Sequence, residues 1–89
     1  MNYSKETLKH AHIYCTGNKK YFDYTDTCGC FYCLKIFSPI EITFYLNEEI
    51  GDTAICPYCS IDSVLPNMKA LKISNDFLTA MYDYWFSIS

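Results

Sequence analysis

Two Cys-x-x-Cys pairs carry the clearest chemistry in this chain. Cys30-Phe31-Tyr32-Cys33 and Cys56-Pro57-Tyr58-Cys59 flank residues 34–55, 22 in all. A turn with two residues between its cysteines sets the sulfurs one metal-ligand span apart. Two such turns brought together offer four thiolates to a d10 ion that asks only for a tetrahedron. The spacing predicts a structural Zn²⁺ site with Cys30, Cys33, Cys56 and Cys59 as ligands. Catalytic zinc keeps one position open for water and has a proton-moving side chain nearby. Four thiolates close the shell, and the chain has neither His-Glu-x-x-His nor a His-x-Glu ahead of a cysteine pair. The expectation is therefore a protein that is not an enzyme.

Two further cysteines and two histidines lie outside the pairs. Cys28 precedes Cys30 by two residues and offers a Cys-x4-Cys alternative; otherwise it is a half-buried thiol beside the site. Cys15 reads as a small core residue. His10 and His12 could complete a mixed site, but a histidine on such a helix face ordinarily packs instead.

Cys56-Pro57-Tyr58-Cys59 is also the dithiol motif of glutaredoxins, where a helix N-terminus activates the first thiol. That chemistry needs the motif early in a thioredoxin-like fold. Only thirty residues follow Cys59, the next stretch is β-like, and Pro66 stands too close to serve as the later cis-proline. The order Cys-x-x-Cys then Cys-Pro-x-Cys also resembles rubredoxin, an electron carrier with one iron on four thiolates. Rubredoxins place glycine after each pair, where positive φ lets backbone N–H groups approach sulfur. Leu34 and Ser60 stand there instead, which with the flanking helices argues against the electron carrier; Ser60 also departs from the glycine common in zinc knuckles, so strain is expected at the second turn.

The elements that must position these cysteines can be taken in order. Ser4 suits an N-cap, and Leu8, Ala11, His12 and Cys15 share one face, predicting a helix over about 4–15 that ends at Gly17. Between Asn18 and Thr27, Asn18 could cap a short helix or the Tyr-Phe-Asp-Tyr-Thr run could be a strand; the reading leans to helix. Leu34–Phe37 reads as a short strand leaving the first pair. Ser38-Pro39-Ile40-Glu41 is a capping box with proline at the first helical position, predicting a helix from Pro39 to about Leu46. Residues 47–52 form a turn, 53–55 a strand into the second pair, and 60–65 a strand out of it. Ser74 caps a final helix whose Phe77, Leu78, Met81, Tyr82, Trp85 and Phe86 form a wide stripe. That stripe is core in its plain reading and in part, with Tyr84, a partner-facing patch in the sharper one. The fold class expected is α+β: a small zinc-ribbon-like antiparallel sheet with an inserted helix, flanked by N- and C-terminal helices, with residues 1–89 as a single zinc-stapled domain.

Composition bounds the partners. The chain has 7 Lys+Arg, all of them lysine, against 10 Asp+Glu, for a formal charge of −3. Four thiolates around one dication bring the loaded chain to about −5. Nucleic-acid binders cluster cations and favour arginine, so nucleic acid is not expected as a partner. Lys19-Lys20 and Lys69/Lys72 are the local basic spots, each read as a solvated face. No run approaches the ~20 apolar residues of a membrane span. The opening Met1–Glu6 shows no apolar leader, so the expected location is cytoplasmic, where cysteines stay reduced.

Cys28–Pro39, Thr53–Cys59, Ile61–Val64 and Tyr84-Trp85-Phe86 together resemble a family of short uncharacterised bacterial cytoplasmic proteins with a zinc-ribbon-like cysteine pattern. The resemblance covers about residues 10–86, departing at Ser60, where the family typically has glycine. It implies a small intracellular zinc-binding protein. Some members lie near polymorphic toxin genes, which implies a toxin-immunity protein. Three functions of different classes are thus carried forward: a protein-interaction module, in particular an immunity protein that blocks a basic toxin domain; a nucleic-acid-binding zinc ribbon; and a rubredoxin-like electron carrier.

Overall fold

The computed structural model describes residues 3–87. Helix α1 (Lys5–His12) begins where the Thr7 N–H donates to Ser4 Oγ at 3.1 Å, satisfying one of the amides that a helix start leaves unpaired. It buries Leu8 and Ala11, tightens into a 3-10 turn at Ile13–Cys15, and stops at Gly17. Gly17 has φ +56°, and a Cβ there would lie 2.8 Å from Ile50 Cγ1, so conformation and space both demand glycine. The following segment is helical, as a 3-10 stretch over Lys19–Tyr24. Asn18 makes no cap for it.

Strand β1 (Cys28–Cys30) pairs antiparallel with β2 (Ile36–Phe37) on one side and with a later strand, Val64–Pro66, on the other. Between them comes the inserted segment, and here the sequence expectation is corrected. Both halves of the capping box form: the Ile40 N–H donates to Ser38 Oγ at 3.4 Å and the Ser38 N–H to Glu41 Oε2 at 3.2 Å. The helix nevertheless ends after one 3-10 turn, Pro39–Glu41, and Ile42 is extended at φ −74°, ψ 118°. Ile42, Thr43, Phe44 and Tyr45 are β-branched or aromatic, and the chain beyond them offers a pairing partner. Strand β3 (Tyr45–Glu48) turns at Glu49-Ile50 into β4 (Gly51–Ala54), with Tyr45 opposite Ala54. The helix expected to reach Leu46 is therefore one helical turn followed by a β-hairpin. Val64–Pro66 is strand β5, giving the order β2-β1-β5, and α2 (Asn75–Trp85) closes the described chain.

Strand alternation sorts the core into two layers. Leu65 faces a cluster of Leu8, Ala11, Cys15, Phe31, Phe77, Leu78 and Met81 from the two helices and their connections. Cys28, Cys30 and Val64 face the opposite cluster with Phe22, Phe37, Ile42, Ala54 and Cys56. Gly29, opposite Leu65, lets α2 approach: a Cβ there would meet Ile73 Cγ2 at 2.8 Å and Leu78 Cδ1 at 2.9 Å. Ser74 caps α2 as expected, its Oγ accepting from the Phe77 N–H at 3.1 Å. Only Phe77, Leu78 and Met81 of the aromatic stripe are buried; Trp85 and Phe86 each remain 37% exposed. The fold is α+β with antiparallel sheets.

No helix among the described residues is long and apolar enough to cross a membrane.

Candidate metal centre

The two cysteine turns are built alike. In the first, the Cys30 carbonyl accepts from the Leu34 N–H at 2.8 Å while the Cys30 N–H donates to Lys35 O at 2.9 Å. In the second, the Cys56 carbonyl accepts from the Ser60 N–H at 2.9 Å while the Cys56 N–H donates to Ile61 O at 3.0 Å. Each turn aims backbone amides at its first sulfur. The Tyr32 and Cys33 N–H groups lie 3.4 and 3.5 Å from Cys30 Sγ, and the Tyr58 N–H lies 3.4 Å from Cys56 Sγ. Such donors favour a charged sulfur.

Strand pairing brings the turns together. Cys30 ends β1, Cys56 follows β4, and β5 returns from the second turn to pair with β1. The sulfurs of Cys30, Cys33, Cys56 and Cys59 all lie within 4.8 Å of one another. Cys30–Cys59 and Cys33–Cys56 are 3.6 and 3.7 Å apart, and all six cysteines are free thiols. A tetrahedron with metal–sulfur bonds of about 2.3 Å has edges of about 3.8 Å, so these four sulfurs fit a zinc-sized ion. Cys30 and Cys56 are buried and Cys33 and Cys59 half-buried, so one edge of the tetrad reaches the surface.

Electrostatics distinguish the four. Burial opposes a thiolate at Cys30, but Ser63 Oγ at 3.2 Å and the Cys33 and Tyr32 amides outweigh it and lower its pKa. Burial pushes Cys56 up to about 11 and raises Cys59 as well. A dication bound here must displace protons from the raised thiols, which ties its affinity to pH. Ser63, itself buried, is a functional neighbour that the sequence did not reveal; it reads there as one position in an alternating run.

Leu34 and Ser60, the positions where glycine follows the pairs in rubredoxins, have φ of +67° and +66°. The turns need left-handed backbone, and side chains resist it by roughly 1–2 kcal/mol. Leu34 offsets this by packing on the helix-side core, whereas Ser60 is exposed. Ser60→Gly should therefore stabilise the protein by about 1 kcal/mol. A thermal melt would show a rise of about 4–8 °C; an unchanged or lower midpoint would mean that the turn is not strained at Ser60. Leu34→Gly should gain less, because it also loses core contacts.

The remaining candidates fall outside the tetrad. Cys28 points its thiol at Phe37 O, 3.4 Å away, and burial, then the nearby Cys56 and Glu41, pushes it up to about 12. Cys15 is pushed up to about 11 by burial and then Asp62. His12 stacks on Trp85 with ring centroids 4.1 Å apart, and His10 meets Tyr14 edge-on at 5.8 Å. Both buried thiols favour the folded state below the ordinary thiol pKa of about 8.5, a contribution lost as pH rises towards about 11 for Cys15 and about 12 for Cys28. Near neutral pH a thiol reagent should leave Cys15 and Cys28 unmodified in the folded protein and label them in denaturant. Rapid labelling of either while the fold persists would contradict the burial described.

No family model matches this sequence, and neither the curated proteins nor the solved structures contain a significant match.

Proposed function

We propose that this chain is a non-enzymatic zinc protein: Cys30, Cys33, Cys56 and Cys59 hold one Zn²⁺ as a structural centre, and the surface around it binds another protein. The observation that carries this is the convergence of four sulfurs from two turns, with no oxygen or nitrogen ligand in the group. Bound there, the ion would supply cross-linking, joining β1, β2, β4 and β5 through a closed shell with no place for substrate.

Support for protein binding comes from the surface. Tyr32, Tyr82 and Phe86 form a cluster beside the first cysteine turn, with ring centroids 5.0–5.9 Å apart, and Tyr58 lies half-exposed on the second. Aromatic anchors of this kind dominate interface energetics. The negative charge favours a basic partner by speeding encounter. A basic toxin domain, neutralised by this chain as an immunity protein, is the partner class we propose, in a reducing, cytoplasmic setting suited to six free thiols. Nucleic acid is a poorer match. Lys19, Lys20 and Lys35 lie over Tyr45, Tyr21 and Tyr58 at 5.2, 5.4 and 5.1 Å, each facing a tyrosine of this chain and not forming a phosphate track.

Metal and absorption analysis of the purified protein tests the proposal. A colourless protein with one zinc per chain is expected. A red, iron-loaded protein with thiolate-to-iron absorption would make it an electron carrier instead, and binding to DNA or RNA that collapsed with added salt would make it a nucleic-acid ribbon.

A further inference from the structure

Strand β3 has a neighbour on one edge only. The Ile55 N–H donates to Phe44 O at 3.1 Å, and with Leu46 opposite Thr53 and Glu48 opposite Gly51 this turns the backbone of Phe44, Leu46 and Glu48 towards β4. The N–H and C=O groups of Thr43, Tyr45 and Asn47 then point away, and among the described residues none makes a backbone hydrogen bond to another element. The far edge of the hairpin differs: the outward Ala54 N–H is taken by Asn18 Oδ1 at 3.0 Å, and β4 packs against the 3-10 stretch over Lys19–Tyr24.

Natural edge strands are usually protected by charge, proline or a bulge. Ile42-Thr43-Phe44-Tyr45-Leu46 contains neither charge nor proline, and Phe44 and Leu46 are 58% and 41% exposed. A recess of about 410 Å³ opens where β3 begins, lined by Thr43, Phe44, Ile55, Cys56, Pro57 and Ser60 of the hairpin and the second cysteine turn. Charge selects what covers it. Residues 36–68 carry Glu41, Glu48, Glu49, Asp52 and Asp62 and no lysine, so the hairpin is acidic even with Lys19 reaching from the preceding segment to lie over the Tyr45 ring at 5.2 Å. Pairing two copies of β3 would set two acidic hairpins against each other, whereas a cationic strand would meet complementary charge.

We propose that the open edge of β3 receives an extended segment of a partner protein in which apolar and Lys or Arg residues alternate, adding a third strand to the hairpin. Its backbone pairs with Thr43, Tyr45 and Asn47, its apolar side chains lie on the face of Phe44 with one entering the recess, and its cations lie on the opposite face, that of Asn47 and Asp52. This rests on the protein-binding role proposed above and locates it.

The test titrates the zinc-loaded, ¹⁵N-labelled chain with a short peptide alternating Val and Lys. Two controls accompany it: its Val/Glu counterpart and a version N-methylated at alternate amides. Shifts and slowed amide exchange are expected at Thr43, Tyr45 and Asn47, with affinity falling about tenfold between roughly 50 and 500 mM salt. Both control peptides should bind at least about tenfold more weakly, and Phe44→Ser should weaken the Val/Lys peptide about tenfold while leaving zinc content and melting temperature unchanged. Equal binding of the Val/Glu peptide, shifts confined to Tyr32, Tyr82 and Phe86, no binding up to about 1 mM, or dimerisation through β3 would each overturn the proposal. None of these outcomes changes the zinc content, and binding at the Tyr32 cluster would sink the edge while leaving a protein-binding role intact.

Discussion

Replacing Cys56 with serine should leave a chain that no longer folds. Cys56 is 1% exposed and joins β4 to the second cysteine turn, so its sulfur is both a tetrad corner and part of the core. A serine hydroxyl stays protonated and is a poor zinc ligand, and three sulfurs cannot close the shell. Structural zinc supplies on the order of 10–16 kcal/mol in small zinc-dependent folds, whereas a whole small protein is stable by only about 5–15 kcal/mol. The two are of the same size, so losing most of the first removes the net stability. Far-UV circular dichroism of Cys56→Ser should show the α1 and α2 signal gone at 25 °C, and the zinc content should fall to background. Cys15→Ala removes a buried thiol outside the tetrad and should cost only about 1–2 kcal/mol. If Cys56→Ser melts like the parent, the tetrad does not hold the fold.

The second large effect belongs to Asn18→Ala. The Asn18 side chain is fully buried, and its amide does three jobs. Nδ2 donates to Tyr14 O at 2.9 Å and to Val64 O at 2.8 Å, and Oδ1 accepts from the Ala54 N–H at 3.0 Å. One side chain thus ties the end of the first helical segment to β5 and β4. Alanine leaves these groups without their partner in a buried site where each missing bond costs about 1–3 kcal/mol, so a loss of roughly 3–5 kcal/mol is expected. Asn18→Asp should be no better, because a carboxylate cannot donate and would face two carbonyl oxygens. Urea unfolding of the zinc-saturated variants reads the loss. A change below about 1 kcal/mol would mean that Asn18 is not what seats the hairpin on the sheet.

What the sequence disclosed was local chemistry with a fixed spacing. Two residues between cysteines, Ser4 and Ser74 ahead of helices, and the Ser38/Glu41 box all act within four residues, and the structure contains each of them. The extent of the inserted helix was not legible, because what ends it is pairing between Tyr45 and Ala54 across a turn, which capping chemistry does not encode. Asn18 looked like a helix cap since its real partners, Ala54 and Val64, lie 36 and 46 residues away. The left-handed backbone at Leu34 and Ser60 was visible only because glycine stands at those places in similar cysteine turns. The C-terminal stripe announced burial correctly for Phe77, Leu78 and Met81. It overstated burial for Trp85, whose indole N–H reaches Leu8 O at 3.3 Å at the margin of the core.

Zinc-edge X-ray absorption on the purified protein addresses the tetrad most directly. One zinc per chain with a single shell of four sulfurs at about 2.3 Å is expected. A shell containing nitrogen or oxygen, or protein that folds with no zinc bound, would contradict a structural centre made by Cys30, Cys33, Cys56 and Cys59.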